Sequence, residues 1–235
     1  ELENKYDAIF LSIGANIPRK MAIEGEELNG VFGGNTLLEK GNHPDYHGKK
    51  VAIIGGGNVA MDCARTIKRL GAEQVVVIYR RSRAEMPAED KEIEDSINEG
   101  IEFLFLTNIT KVLGDDKVEN IECIKAKLVE KEGETRKVPV YIENSNYVIP
   151  MDYVVMAVGG KADKDMLENE RITLTKKKYV EVDEDGKTSH VKVFAGGDVA
   201  GQNSTVAWAA RDGRNIAERI EKFLKTNIWI QKIVI

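Results

Sequence analysis

The sequence predicts an α/β fold in which a parallel sheet carries helices on its faces and is accompanied by an antiparallel hairpin. Three observations point there. Short β-rich apolar runs alternate with helical patterns, the apolar period changes to two after Val118, and a glycine cluster separates one apolar run from the helical pattern that follows it.

The first apolar run, Ala8-Ile9-Phe10-Leu11, begins almost at the first residue. Val51-Ala52-Ile53-Ile54 reads as a buried strand, and Asn58 to Leu70 as the helix after it, with Val59, Cys63, Ile67 and Leu70 along one face and Gly71 at its end. Val75 to Tyr79 is the next strand. A basic loop follows, then a helix from about Pro87, where a proline and an acidic first turn suit a helix start. Gly100 closes that helix, and Ile101 to Leu106 completes a β-α-β-α-β unit. Beyond Val118, Ile124, Ala126 and Leu128 alternate with Lys125 and Lys127, a turn falls near Gly133, and Val138 to Ile142 pairs back. Tyr153 to Val158 returns as a buried strand that ends at Gly159-Gly160.

The chain of 235 residues is long enough to bury a substantial core. With 34 Lys and Arg against 39 Asp and Glu, its net charge of -5 argues against a general affinity for nucleic acid. Cys63 and Cys123 form no C-x-x-C pair, so they read as buried apolar side chains, and a redox dithiol is excluded. No stretch has the ~20 apolar residues of a membrane span, and a reducing cytoplasm is expected. The start at Glu1, with no methionine, is expected to be a cut through a larger protein. His43 and His47 lie in a predicted loop without a third ligand, so no metal is expected. The acidic run Glu89 to Glu99 reads as the solvated face of a helix with Ile93 and Ile97 beneath it.

Gly55-Gly56-Gly57-Asn58-Val59-Ala60 fits G-x-G-x-x-A at the junction of a strand and a helix. The first glycine permits a tight turn, the second lets the backbone approach a pyrophosphate, and Ala60 allows close helix-strand packing. The helix start offers free N–H groups to phosphates. An NAD site would place an acidic residue about 20 positions further on. Here Arg80 and Arg81 stand there, followed by Arg83, and guanidinium groups grip a 2′-phosphate. The expected ligand is NADP(H).

Val193-Phe194-Ala195-Gly196-Gly197-Asp198 precedes a helix that begins near Ser204-Thr205, with Val206, Ala209, Ala210, Ile216, Ala217, Ile220 and Phe223 at helical spacing. A carboxylate there could meet ribityl hydroxyls, although on the residues alone an ordinary strand-turn-helix is the simpler reading.

Taken together, Ile54-Gly-Gly-Gly-Asn-Val-Ala-Met-Asp-Cys-Ala-Arg65, Tyr79-Arg-Arg-Ser-Arg-Ala-Glu-Met-Pro87 and Phe194-Ala-Gly-Gly-Asp198 resemble the small-subunit family of NADPH-dependent glutamate synthase. Similar sequences occur in the NADPH-reading part of dihydropyrimidine dehydrogenase and in ferredoxin-NADP oxidoreductase subunits of bifurcating enzymes. The resemblance implies a Rossmann-like NADP(H) domain, residues 36–158, inserted in the remnant of an FAD-binding domain, residues 1–35 and 159–227, with a tail at 228–235. It adds Gly159, Gly197, Asp198, Ser204, Thr205 and Val206 to the candidate cofactor contacts.

In such enzymes hydride passes from NADPH to FAD, and electrons go on to iron–sulfur centres or a large electron-accepting partner subunit. The cofactors carry that chemistry, so no catalytic side chain is named. The family's ADP-binding unit for FAD and its iron–sulfur cysteines have no counterpart here. The chain alone is therefore expected to hold NADP(H) and to be inactive; the alternative is a non-catalytic NADP(H)-binding or sensing module.

Overall fold

In the computed structural model, which describes residues 1–133, 136–169, 171–202 and 205–229, the chain divides into two compact units. One is Pro18–Gly159 and the other joins Glu1–Ile17 to Gly160–Ile235. The principal elements begin with β1 (Ile9–Leu11), β2 (Val31–Gly33), α1 (Gly34–Lys40), β3 (Lys50–Ile54), α2 (Asn58–Arg69), β4 (Gln74–Tyr79), α3 (Asp90–Asn98) and β5 (Glu102–Phe105). They continue with β6 (Thr107–Leu113), β7 (Asn120–Val129), β8 (Val138–Tyr141), β9 (Tyr147–Pro150), β10 (Tyr153–Met156), α4 (Lys164–Asn169), β11 (Val193–Ala195) and α5 (Val206–Thr226).

Strands β3 and β4 are apolar almost throughout because both of their faces are covered. Side chains alternate across a strand, so Val51, Ile53, Val75 and Val77 face a layer built from α1, α2 and α3, where they pack on Ala60, Met61, Cys63, Ala64, Ile67 and Ile93. Ala52, Ile54, Val76 and Ile78 face the other way, onto Ile109, Val112, Ile121 and Cys123 of a second sheet. The five parallel strands run β2-β10-β3-β4-β5, with Val51 opposite both Tyr153 and Val75. Burial of both faces is what lets a parallel strand read as a continuous apolar run.

The second sheet is antiparallel and its centre is β7, which lies between β6 on one edge and both β9 and β8 on the other. The expected return of residues 138–142 onto 118–128 is present, with Ala126 opposite Tyr141. The sequence reading did not separate β6 from the strand before it. The chain leaves β5 through Leu106 at φ 51 and enters β6 one residue later, too abruptly for a turn signal to register.

Two other boundaries move. The helix expected from Pro87 starts at Asp90, because the amide hydrogens of Ala88 and Glu89 are taken by residues outside it. The first edge of this unit falls at 17/18 instead of 35/36, since β2 pairs in the parallel sheet with β10 and α1 packs on α2.

The acidic run on α3 is not merely solvated. Arg65 of α2 bonds to Glu92, to Asp95 at 3.3 Å and to Glu99 at 2.9 Å, and Arg69 reaches Glu99 at 2.6 Å. Arg65 and then Arg69 hold the Glu99 carboxyl below its ordinary range. Ile93 lies beneath as expected, whereas Ile97 is 43% exposed.

In the other unit, β1 and β11 pair in parallel, Phe10 opposite Phe194. Phe194 points to one side, onto Phe223 and Ile216 of α5 and onto Trp229. Val193 and Ala195 point to the other, among Ala162, Leu167, Val180 and Val199. Of the residues at helical spacing on α5, Ile216 and Phe223 are buried; Ala209, Ala210 and Ala217 are exposed and Val206 is 88% exposed. The six residues 230–235 of the expected tail lie outside the described residues.

Candidate functional site

Within the Pro18–Gly159 unit, β3 ends at Ile54 and the chain turns through three glycines into α2. Gly55 has φ 142, and a Cβ there would stand 2.2 Å from the carbonyl oxygen of Ala157. A Cβ on Gly56 would fall 2.6 Å from the Tyr79 ring. Both residues are therefore glycine because the protein itself leaves no room. Gly57 differs. Its φ of -96 is ordinary, and the nearest atom to an added Cβ is Pro87 Cγ at 3.8 Å. The protein does not require glycine there, whereas a ligand lying close against the backbone would.

Gly57 is also the residue before the first turn of α2, and no side chain caps that helix. The first hydrogen bonds into the turn run from the Ala60 and Met61 amides to the Gly57 carbonyl. Among the described residues nothing accepts from the amides of Gly57, Asn58 and Val59, so three donors point outward at the positive end of the helix. Ala60 is fully buried, as close helix-strand packing demands. The side chain of Asn58 is already engaged: its Oδ1 accepts from the Glu89 amide at 3.1 Å.

The arginines follow β4 directly. Arg80 has no hydrogen-bond or ion-pair partner among the described residues and is exposed. Arg81 donates through Nε to the carbonyl of Lys137 at 2.9 Å, and Arg83 lies 3.7 Å from Glu94. Ser82 and Glu85 close a capping box that holds this short turn. The next segment is tied to the glycine loop, since the Ala88 amide donates to the Gly56 carbonyl at 3.1 Å. Glycine loop and arginine loop are thus parts of one surface.

Sequence reasoning named the glycines and the arginines. It missed Tyr79, whose ring is the wall behind Gly56 and whose hydroxyl donates to the Glu85 carbonyl at 2.7 Å. It also missed the Pro87-Ala88-Glu89 stretch, whose proline and acidic residues read as a helix start but which precedes the helix. Gly159 ends the unit at φ 99, where its carbonyl accepts from the Arg19 amide at 3.0 Å.

The remaining candidates lie in the other unit. Gly197 is in the left-handed region at φ 71, and its amide donates to Asp212 at 3.0 Å. Asp198 has a buried Oδ1 with no partner among the described residues, and burial raises the pKa of its carboxyl. Thr205 is the N-cap of α5, its hydroxyl accepting from the Trp208 amide, and Val206 opens the helix. Ser204 lies outside the described residues.

His43 bonds to the Tyr46 hydroxyl at 3.1 Å and His47 to Asp45 at 2.8 Å. No helix among the described residues is long and apolar enough to cross a membrane.

Several known proteins are similar to this chain. The β subunit of the NADP(+)-dependent formate dehydrogenase of Moorella thermoacetica is 38% identical over 99% of this chain and 35% of its own length. The small chain of NADPH glutamate synthase from Halomonas elongata is 34% identical over 95% of this chain and 51% of its own. The chain thus spans from about a third to about half of these relatives.

Among solved structures, Mycobacterium tuberculosis FprA in complex with NADPH superimposes with a TM-score of 0.79 at 18% identity, over 95% of this chain and 64% of that one. Thioredoxin reductase of T. acidophilum gives 0.69 at 20% identity, over 93% and 66%. At those identities the likeness is one of fold. The pyridine nucleotide-disulphide oxidoreductase family matches residues 1–213, and with all but the last 22 residues inside that match the chain belongs to this family.

Proposed function

We propose that the chain is the NADPH-reading part of a flavoprotein oxidoreductase similar to the glutamate synthase small subunit, with the Pro18–Gly159 unit as its NADP(H) domain. The observation that carries this is Gly57. It is a glycine that the protein's own packing does not require, at the head of an uncapped helix and beside a loop with an unpaired arginine.

In this reading the amides of Gly57, Asn58 and Val59 hold the pyrophosphate. Tyr79 fixes the height of the glycine loop, and Arg80, Arg81 and Arg83 read the 2′-phosphate. Exposed Arg80 is free to reorient onto a phosphate without giving up a bond.

The second unit would hold part of a flavin. Asp198 Oδ1, a buried acceptor without a donor, suits the hydroxyl-rich ribityl chain of FAD, and the start of α5 at Thr205 and Val206 suits its polar ring edge. When bound, the flavin would accept a hydride from NADPH and pass electrons on singly. The chain's own part is to hold and orient its ligands, which explains the lack of a candidate acid-base residue. The onward acceptor we propose is an iron–sulfur centre or a partner subunit, supported by the relatives' names as subunits of larger enzymes. Two buried, unpaired cysteines support a reducing cytoplasm.

Calorimetric titration of the chain with NADPH, NADH and FAD in turn tests the reading. Tight NADPH binding with weak NADH and FAD binding is expected. FAD binding alone, or none, would overturn it.

A further inference from the structure

One cation near the proposed nucleotide site comes from an unexpected place. Arg136 lies on the loop that leads into β8 of the antiparallel sheet, more than 50 residues along the chain from the arginine loop. Its Nη2 donates to the Tyr79 hydroxyl at 3.3 Å and to the carbonyl of Glu85. The Tyr79 ring is the one that stands against Gly56, so a single phenol separates this guanidinium from the glycine loop. The adjoining residue is latched from the opposite side, because Arg81 donates to the Lys137 carbonyl. Residues 136–137 therefore close one side of the surface that the glycine and arginine loops form.

Two features argue that Arg136 is more than a brace. The Tyr79 hydroxyl and the Glu85 carbonyl already satisfy each other at 2.7 Å, so neither needs the guanidinium. Arg136 also remains exposed, and its Nε and Nη1 donors have no partner among the described residues. Arg81 and Arg136 are brought to the same segment by the Lys137 carbonyl and the Tyr79 hydroxyl, Arg80 adjoins Arg81 in the chain, and none of the three is ion-paired to a carboxylate among the described residues. Such a concentration of unneutralised cations favours a multiply charged anion.

We infer that Arg136, supplied by the antiparallel sheet, is a specificity-determining residue that reads the 2′-phosphate together with Arg80 and Arg81. This rests on the NADP(H) reading above. It means that discrimination against NADH is shared between the parallel sheet's own loop and a hairpin outside the β-α-β unit.

The test compares 2′,5′-ADP with 5′-AMP, which differ only in the phosphate at issue, by calorimetry on the parent chain, Arg136→Gln and Arg136→Lys. The parent is expected to prefer 2′,5′-ADP. Arg136→Gln should lose roughly tenfold in affinity for 2′,5′-ADP, the worth of one charge-assisted hydrogen bond, with 5′-AMP unchanged. Arg136→Lys should recover part of the loss.

A parent without preference would bring down the NADP(H) reading itself. If the parent prefers 2′,5′-ADP and Arg136→Gln keeps that preference, or weakens both ligands equally while Lys restores nothing, then Arg136 is only a brace and this inference fails.

Discussion

The amide of Ala88 donates to the carbonyl of Gly56 at 3.1 Å. One residue on, the Glu89 amide donates to Asn58 Oδ1 at the same distance. The segment after the arginines is thereby stitched to the middle glycine and to the first residue of α2, and the glycines and arginines hold a fixed relation before any nucleotide arrives.

Neighbouring glycines should fail in different ways. Gly55→Ala places a Cβ 2.2 Å from the Ala157 carbonyl in a conformation that L side chains avoid, and should cost about 1–3 kcal/mol or more in stability. Gly57→Ala has open space and an ordinary φ. It should cost under about 1 kcal/mol yet weaken NADPH binding by roughly tenfold or more. Urea unfolding and calorimetry on both variants check this; equal stability losses would remove the case for a ligand at Gly57.

Arg80→Glu with Arg81→Glu should erode the preference for NADPH over NADH by about a hundredfold while the fold persists, because both side chains lie past the end of β4 and neither is buried. The ratio of the two dissociation constants is the readout, with circular dichroism as the control. An unchanged ratio would mean the phosphate pocket is elsewhere.

Arg65 ties α2 to α3 through three carboxylates, and Glu99, held below its ordinary range first by Arg65, sets the sign of the pH effect. A lowered carboxyl stabilises the fold above its unfolded-state pKa and loses that contribution as pH falls through the folded value. Arg65→Met should therefore be less stable than the parent at pH 7, and the gap should narrow in acid. Urea midpoints at neutral and acid pH measure it; a gap that stays constant would show that the loss is one of packing.

Asp198 runs the other way. Burial raises its carboxyl pKa, so in the ligand-free chain stability falls as pH rises from the unfolded-state pKa to the raised folded one, and the full penalty of the buried charge is present above both. Asp198→Asn should raise Tm at pH 7 and make no difference well below the carboxylate range. A lower Tm at pH 7 would show that the unpartnered oxygen is satisfied after all.

Cys63 and Cys123 have thiols that burial pushes up to about 12. Iodoacetamide should leave both untouched in the native protein at pH 8 and modify them only after denaturation. Rapid native labelling of Cys63 would contradict its complete burial on the inner face of α2, against Gly34.

Much of this was legible in the sequence because the signals are local. A strand buried on both faces is a plain apolar run, and a glycine triplet beside it marks the turn. The arginine loop could be placed because it follows that pattern by a fixed spacing. What stayed hidden depends on partners far along the chain. Glu92, Asp95 and Glu99 look like a wet helix face until Arg65 is set opposite them. Pro87 looks like a helix start until the amides of Ala88 and Glu89 are seen donating elsewhere. Arg136 carries no motif, and only the fold of the second sheet brings it to Tyr79. The alanines of α5 have helical spacing, but spacing alone does not say whether a neighbour covers them.

The edge of β7 that receives both β8 and β9 has a consequence for how this chain tolerates change. Cys123 is fixed opposite Tyr147 and Ala126 opposite Tyr141, so five residues, 142–146, span what two residues cover on β7. Each flank is anchored by its own ladder. Residues can therefore be added at 143–144, short of Ser145, whose hydroxyl accepts from the Lys125 amide, without sliding either flank, and related chains are free to drift in length there while the rest of the sheet stays in alignment. The same slack makes that bend the natural point of attachment for a spectroscopic label.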